Sequence, residues 1–182
     1  MMEDQLETER LLLRMIRLED FEAYAALGAD PEVMRYLGGK TRDRLESWRN
    51  LCAIVGHWHF RGYGIWAVEE KATRQFIGCI GLHYPETWPG FELAWTLARA
   101  AQGKGFATEA ARRALEYAFI DLNRDHVISL INPENRASIR VAERIGETVK
   151  GHTELLGTEV LIYGIDRNTW RSQQQAKPEV SG

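Results

Sequence analysis

The chain is 182 residues long, with 23 basic and 26 acidic side chains and a formal net charge of -3; this favours one domain with a sizeable core and argues against nucleic acid as a partner. Its two cysteines, Cys52 and Cys79, have neither the spacing of a zinc site nor the number of a disulfide framework, so no metal is expected. The acidic start MMEDQLETER leads into no long apolar run, so we expect no signal peptide, no membrane partner and a cytoplasmic location.

The first third of the chain predicts one strand followed by helices. The strand is RLLLRMI, residues 10–16, and the segment LEDFEAYAALG after it has the pattern of a short helix that stops at Gly28. A turn of helix at DPEVMRYL comes next. From about Arg42 to Arg61, apolar residues recur at every third or fourth position, which predicts an amphipathic helix.

The middle of the chain predicts a three-stranded antiparallel meander. Its strands are YGIWAVEE, QFIGCIGLHY and GFELAWTL, and the turns between them are KATR and PETWPG. The helix FATEAARRALEYAFIDL and the buried strand HVISLI follow, and then a helix that ends at Gly146 and a hairpin that turns at Gly157. We expect residues 1–170 to form the single domain and the polar segment 171–182 to be disordered.

A glycine-rich corner, QGKGFAT at residues 102–108, lies between a predicted strand and a predicted helix. Unpaired backbone NH groups and the helix dipole favour a phosphate at such a position. The P-loop pattern fails here because Gly105 follows Lys104, and the dinucleotide pattern fails because Thr108 stands where Gly or Ala is needed. A glycine turn that only joins the two elements is the alternative interpretation.

The corner fits the pattern Gln/Arg-x-x-Gly-x-Gly/Ala, and with it the sequence resembles the GNAT acetyltransferases. The segments LETERLLLRMIRLEDFEAYAAL and NRASIRVAERIG are similar to the branch that includes the ribosomal-protein N-terminal acetyltransferases. The resemblance implies an α/β fold with a mixed, mostly antiparallel sheet of six to seven strands flanked by helices. It also implies that acetyl-CoA is bound by Trp95, Thr96, Leu97, Gln102, Gly103, Lys104, Gly105, Phe106, Ala107, Thr108, Asn135 and Ser138.

Within that set, the resemblance gives different parts of the cofactor to different residues. The backbone of Gly103 to Thr108 is expected to hold the pyrophosphate. The strand from Trp95 to Leu97 would bond the pantetheine arm and polarise the thioester carbonyl, and Asn135 would bond the pantetheine amide. Basic side chains near the corner, Lys104 above all, would neutralise phosphate charge.

Three side chains are expected to carry the chemistry of acetyl transfer to an amine. The resemblance places Glu92 beside the acceptor, where burial would raise its pKa towards that of a working base, although a structural or acceptor-orienting role stays open. Glu154 is the rival base. Family members often use a tyrosine as the acid, but Ala142 stands in that position here. The Asn-x-x-Ser form at Asn135 resembles the ribosomal-protein branch and implies Ser138 as the acid, with a role at the helix start as its alternative. Glu147 departs from the usual Phe and touches no expected chemical step.

The sequence is compatible with more than one kind of acceptor. A protein N-terminus is the first expectation, and a small amine, amino acid or antibiotic is the second. A protein that senses acyl-CoA without turnover is the alternative from a different functional class. We expect a monomer or a homodimer.

Overall fold

The computed structural model describes residues 5–176. Its strands form a single eight-stranded sheet in the order β1-β2-β3-β4-β5-β6-β8-β7. Every neighbouring pair is antiparallel except β5 and β6. The strands are β1 (Gln5–Glu7), β2 (Leu11–Arg14), β3 (Ile65–Glu70), β4 (Gln75–His83), β5 (Glu92–Leu97), β6 (His126–Ile131), β7 (Thr148–Leu155) and β8 (Thr158–Asp166).

The predicted mixed, mostly antiparallel sheet is therefore confirmed, with one strand more than the expected six to seven. The additional strand is β1, which has three residues in an acidic segment without a readable alternation. It forms because Leu6 is buried and pairs in register with Leu13 of β2. A strand this short is specified by its partner rather than by its own sequence.

Six helices flank the sheet in the described part of the chain: α1 (Phe21–Ala29), α2 (Pro31–Met34), α3 (Arg44–Arg61), α4 (Phe106–Ile120), α5 (Arg136–Ile145) and α6 (Arg167–Gln175). Helix α3 begins two residues later than predicted because Asp43 and Glu46 form a capping box, and it ends at Gly62 in the left-handed conformation. The alanine-rich face of α4 is buried against β4 and β5, as its periodicity predicts.

The prediction of disorder from residue 171 onwards is wrong for the first part of that segment. Helix α6 continues to Gln175 because Trp170 is buried and packs against Phe119 of α4, with ring centroids 5.3 Å apart. One aromatic anchor thus stabilises a helix whose other residues are mostly polar. Residues 177–182 of the predicted tail lie outside the described residues.

The parallel pair β5 and β6 positions the site. Helix α4 connects the two strands, and they pair through one register position, Glu92 with Ile128. Beyond it, β6 pairs with β8 while β5 pairs with β4. The two strands therefore separate towards their carboxyl ends and leave backbone groups of β5 unpaired on that side.

Candidate functional site

The glycine corner forms a concave backbone surface at the start of α4. Gly103 and Gly105 have φ values of +75° and +82°, in the left-handed region that favours glycine. The first NH groups of any helix have no intrahelical acceptor. In α4 the N-cap residue is Gly105, so no side-chain cap accepts from them. Such free amides and the positive end of the helix dipole suit an anion, and they lie at the end of β5.

Some side chains of the corner are buried or hold its backbone in place, and one is exposed to solvent. Phe106 and Thr108 are buried, so these positions offer their backbone to a ligand. The amide of Gln102 donates to the carbonyl of Leu97 over 2.9 Å, which fastens the corner to the end of β5. Lys104 is exposed, and of these side chains it is the one that carries a positive charge.

Sequence reasoning missed Arg10, which braces the corner from the β1–β2 turn. Its guanidinium donates to the carbonyl of Lys104 over 3.1 Å, pairs with Glu109 at 2.6 Å, and lies 4.6 Å from the ring centroid of Phe106. No local pattern predicts this contact because 94 positions separate Arg10 from Lys104. The brace holds the first turn of α4 in place.

Glu92 lies where β5 and β6 separate, and 7% of its surface is exposed. The indole NH of Trp88 donates to Oε2 over 2.7 Å, and the Leu130 amide donates to Oε1 over 3.4 Å. Burial raises the pKa of Glu92 to about 7, while these two hydrogen bonds act in the opposite direction. Glu92 therefore exchanges its proton near neutral pH.

Two aromatic side chains, His83 and Trp88, lie beside Glu92. His83 pairs in register with Glu92, so both side chains leave the sheet on the same side. The His83 ring stacks on His57, with centroids 5.3 Å apart, and meets Trp88 edge-on at 5.2 Å. Burial lowers the pKa of His83 to about 4, so this histidine is uncharged at neutral pH.

The tautomer of His57 follows from the two backbone groups that contact its ring nitrogens. Its Nδ1 lies 3.0 Å from the carbonyl of Tyr63, and its Nε2 lies 3.2 Å from the amide of Tyr84. A carbonyl only accepts and an amide NH only donates, so the proton is on Nδ1 and the ring is neutral. Sequence reasoning did not assign His57 and His83 to the site, since the sheet register, not spacing, brings His83 beside Glu92.

Trp95 and Ser138 are brought together on the other face of the sheet. The Trp95 indole NH donates to the Ser138 hydroxyl over 3.2 Å, so that hydroxyl keeps its own proton for a different acceptor. Asn135 is the cap of α5, because its side-chain oxygen accepts from the Ser138 amide over 3.1 Å. The Ser138 hydroxyl is therefore not used for capping.

Glu154 is not brought to the other site residues. It is exposed on the edge strand β7, where it pairs in register with Glu159 of β8. Strands β6 and β8 separate β7 from β5, which corresponds to roughly 14 Å at a strand spacing of about 4.8 Å. The geometry therefore favours Glu92 over Glu154 as the carboxyl group at the point where β5 and β6 separate, which we call the strand fork.

A groove of about 900 Å³ extends from the corner along α4, and none of Glu92, Ser138 and Glu154 lines it. It is therefore separate from the strand fork.

Residues 5–176 contain no cluster of three or more His, Cys, Asp or Glu side chains that is placed to hold a metal ion. Within the same residues, no helix combines the length and apolarity needed to cross a bilayer.

Comparisons with known proteins agree with this geometry. The family model of the acetyltransferase (GNAT) domain matches residues 10–148. A spermidine N(1)-acetyltransferase of Escherichia coli is 37% identical over 163 residues, which cover 87% of this chain and 82% of the relative. The crystal structure of an acetyltransferase from Agrobacterium tumefaciens is 34% identical, with a TM-score of 0.80 over 88% of this chain and 93% of that one.

More distant structures share the fold. A spermidine N-acetyltransferase from Vibrio cholerae, solved with CoA and spermine, is 23% identical with a TM-score of 0.74 and covers 90% of this chain and 99% of that one. A ribosomal-protein-S5-alanine acetyltransferase from Vibrio fischeri is 17% identical with a TM-score of 0.71, over 91% and 98% of the two chains. The family match spans the strand fork and the glycine corner, and the chain therefore belongs to the GNAT family of acetyl-CoA-dependent N-acetyltransferases.

Proposed function

We propose that the protein transfers the acetyl group of acetyl-CoA to a small primary amine by direct attack, with Glu92 as the general base. The observation that carries the proposal is the position of the Glu92 carboxyl group, which is buried at the strand fork. This burial raises its pKa to about 7. An amine that is protonated at neutral pH must lose a proton before it attacks. A base with a pKa near the working pH is suited to that step.

The cofactor is assigned along β5 and the glycine corner. The backbone of Gly103 to Thr108 and the Lys104 ammonium hold the pyrophosphate, and Gln102 keeps the corner attached to β5. The backbone groups of Trp95, Thr96 and Leu97 that neither β4 nor Gln102 pairs bond the pantetheine arm, and the side-chain amide of Asn135 meets the pantetheine amide. This proposal is supported by the left-handed glycines and by the separation of β5 from β6.

In the transfer step, the amine nitrogen forms a bond to the thioester carbon and the carbon–sulfur bond breaks. Glu92 takes the proton that the ammonium loses before attack, and the second nitrogen proton passes to solvent as the amide forms. The Ser138 hydroxyl donates a proton to the departing thiolate and regains one from solvent. The hydrogen bond from Trp95 supports this role for Ser138, since it leaves the hydroxyl proton available. Direct attack is supported by Cys79, a buried thiol whose pKa burial raises to about 12, which makes it a poor nucleophile.

The proposed acceptor is a small amine because of the relatives and the aromatic rings beside Glu92. The E. coli relative at 37% identity acts on spermidine, whereas the ribosomal-protein-type structure at 17% identity shows the fold alone. The neutral rings of His83 and Trp88 beside Glu92 suit the carbon chain of an amine. A protein N-terminus is the second candidate, because two segments of the sequence resemble the ribosomal-protein branch.

An acceptor screen tests the proposal. Free thiol released from acetyl-CoA is measured with polyamines, monoamines, amino acids and aminoglycosides in one arm, and with peptides of varied N-termini in the other. We expect turnover above the rate of hydrolysis in the first arm. Turnover confined to peptides would replace the proposed acceptor, and acetyl-CoA binding without turnover in either arm would identify a sensor.

Trp88 provides a test of the base that leaves the carboxylate in place. Its indole NH lowers the pKa of Glu92, so Trp88→Phe removes the donor and should raise that pKa further. We expect turnover of the variant to fall several-fold below pH 7 and to approach the wild-type rate above pH 8. The measurement is kcat against pH at saturating acetyl-CoA, and an unmoved acidic limb would contradict the assignment.

A further inference from the structure

Glu147 is a buried carboxyl group that the proposed reaction does not use. It follows Gly146, the left-handed cap of α5, and 2% of its surface is exposed. Its Oε1 atom lies 3.1 Å from the hydroxyl of Ser129 on β6, and its Oε2 atom is buried without a hydrogen-bond partner. A residue at the start of an edge strand is thus turned into the interior of the protein.

The protonation state of Glu147 follows from the hydrogen bonds of Ser129. The Ser129 hydroxyl also lies 2.8 Å from the carbonyl of Leu93, which only accepts. The single hydroxyl proton therefore goes to Leu93, and the contact with Glu147 needs a proton from the carboxyl group. An ionised Glu147 would leave Oε2 as a buried, unpaired charge, which is far more costly than a neutral acid.

The surroundings of Glu147 favour the neutral form as well. Burial raises its pKa to about 8, a hydrogen bond from Ser129 would act in the opposite direction, and the negative charge of Glu92 on β5 raises the pKa further. On β8, Tyr163 pairs in register with Ser129, and the charges that act on its phenol are Glu143 and Arg136 of α5. Ser129, from β6, contributes a hydrogen bond but no charge.

The Ser129–Leu93 contact lies at the strand fork, directly behind Glu92. Leu93 follows Glu92 on β5, and Ser129 precedes Leu130, whose amide donates to Glu92. Successive side chains of a strand point to opposite faces, so the pair lies on the face opposite to the Glu92 carboxylate. Because β5 and β6 have a single register pair, this side-chain contact is an additional connection between them at that point.

We propose that Glu147 is a positioning residue that, as a neutral carboxylic acid, donates to Ser129 and thereby holds β5 against β6 behind Glu92. The proposal rests on Glu92 being the base. When Glu147 ionises at higher pH, the Ser129 proton is drawn to the new carboxylate and away from Leu93. The connection behind Glu92 is then lost, so turnover falls on the alkaline side.

An infrared measurement tests the protonation state without reference to turnover. We expect wild-type protein at pH 7.5 to show the carbonyl stretch of a protonated carboxyl group that disappears in Glu147→Gln and persists in Glu92→Gln. If Glu147→Gln removes no such band, Glu147 is ionised and the proposal is overturned. This arm stays decisive if the acceptor screen finds no activity, so failure of the proposed function is distinguishable from failure of this inference.

Kinetics test the positioning role. Glu147→Gln keeps a donor towards Ser129 and is expected to retain kcat within about twofold at pH 7 while losing the alkaline decline of the wild type. Glu147→Met and Ser129→Ala should each lower kcat about tenfold through misplacement of the base, with KM for acetyl-CoA unchanged. The exposed Glu159→Gln on β8 is the matched control and should keep the wild-type pH profile.

The double variant Glu147→Met/Ser129→Ala shows whether Glu147 acts through Ser129. We expect a loss no greater than that of the more severe single variant, because both remove the same connection. Losses that multiply in the double variant would overturn the proposal. An alkaline decline that persists in Glu147→Gln would do the same.

Discussion

Glu92→Gln is expected to lower kcat by about 10²- to 10³-fold, because the amide keeps the shape of the side chain but cannot accept a proton from the amine. Acetyl-CoA affinity should stay within about twofold, since the cofactor is assigned to the corner and to β5 beyond Glu92. The measurements are steady-state kinetics with the acceptor that the screen identifies and calorimetric titration with acetyl-CoA. A rate at neutral pH within about twofold of the wild type would show that Glu92 is not the base.

The pH profile makes this test specific. Burial raises the pKa of Glu92 from its ordinary value of 4.5 to about 7, so wild-type turnover should rise with pH through about 7 as the carboxylate forms. Turnover of the Glu92→Gln variant should not show this rise with pH. Glu154→Gln is the comparison for the rival carboxylate, and a loss confined to that variant would transfer the role of base to β7.

The same raised pKa links Glu92 to stability. Between pH 4.5 and about 7 the folded protein binds the Glu92 proton more tightly than the unfolded chain, so this residue's contribution to the free energy of unfolding falls as pH rises through that window. The Gln variant cannot titrate there. Its free energy of unfolding should therefore decrease less between pH 5 and pH 8 than that of the wild type, as measured by urea denaturation.

Local sequence signals predicted the parts of the fold that depend on periodicity and on glycine. The alanine face of α4, the end of α5 at Gly146 and the three-stranded meander all agree with the structure. Each is encoded within a window of about 20 residues, because burial on one face and left-handed caps leave a local pattern. Strand β1 and helix α6 depend on distant partners, and their own residues carried no comparable signal.

In the candidate site, too, the local motif could be predicted from the sequence and the contacts between distant residues could not. The glycine corner is a local motif, whereas the surroundings of Glu92 are assembled by the register of β4, β5 and β6. His83 lies beside Glu92 because β4 and β5 are neighbours in the sheet, and Glu147 reaches Ser129 from the end of α5. Sequence reasoning treated Glu147 as a departure without chemical consequence because the partner of its side chain is set by tertiary packing alone.

Replacement of Gly105 by valine is expected to abolish measurable acetyl-CoA binding, which corresponds to a loss of affinity of at least about 100-fold. Gly105 has φ of +82°, and a β-branched residue is strained in that conformation by about 1–3 kcal/mol. A Cβ atom at this position would also lie 3.4 Å from the Arg10 guanidinium that braces the corner. The strain therefore changes the direction of the backbone amides that are assigned to the pyrophosphate.

Gly157→Val is the matched control for backbone strain. Gly157 has φ of +79° in the turn between β7 and β8, and a Cβ atom there meets nothing within 4 Å. Both variants should lose a similar part of their stability in thermal unfolding, but the Gly157 variant should bind acetyl-CoA as the wild type does. Unchanged affinity of Gly105→Val in calorimetry would remove the corner from the cofactor site. Binding that depends on the direction of the corner amides should respond only to strain at the corner. Equal losses of affinity in both folded variants would therefore show that the effect comes from strain in the protein as a whole.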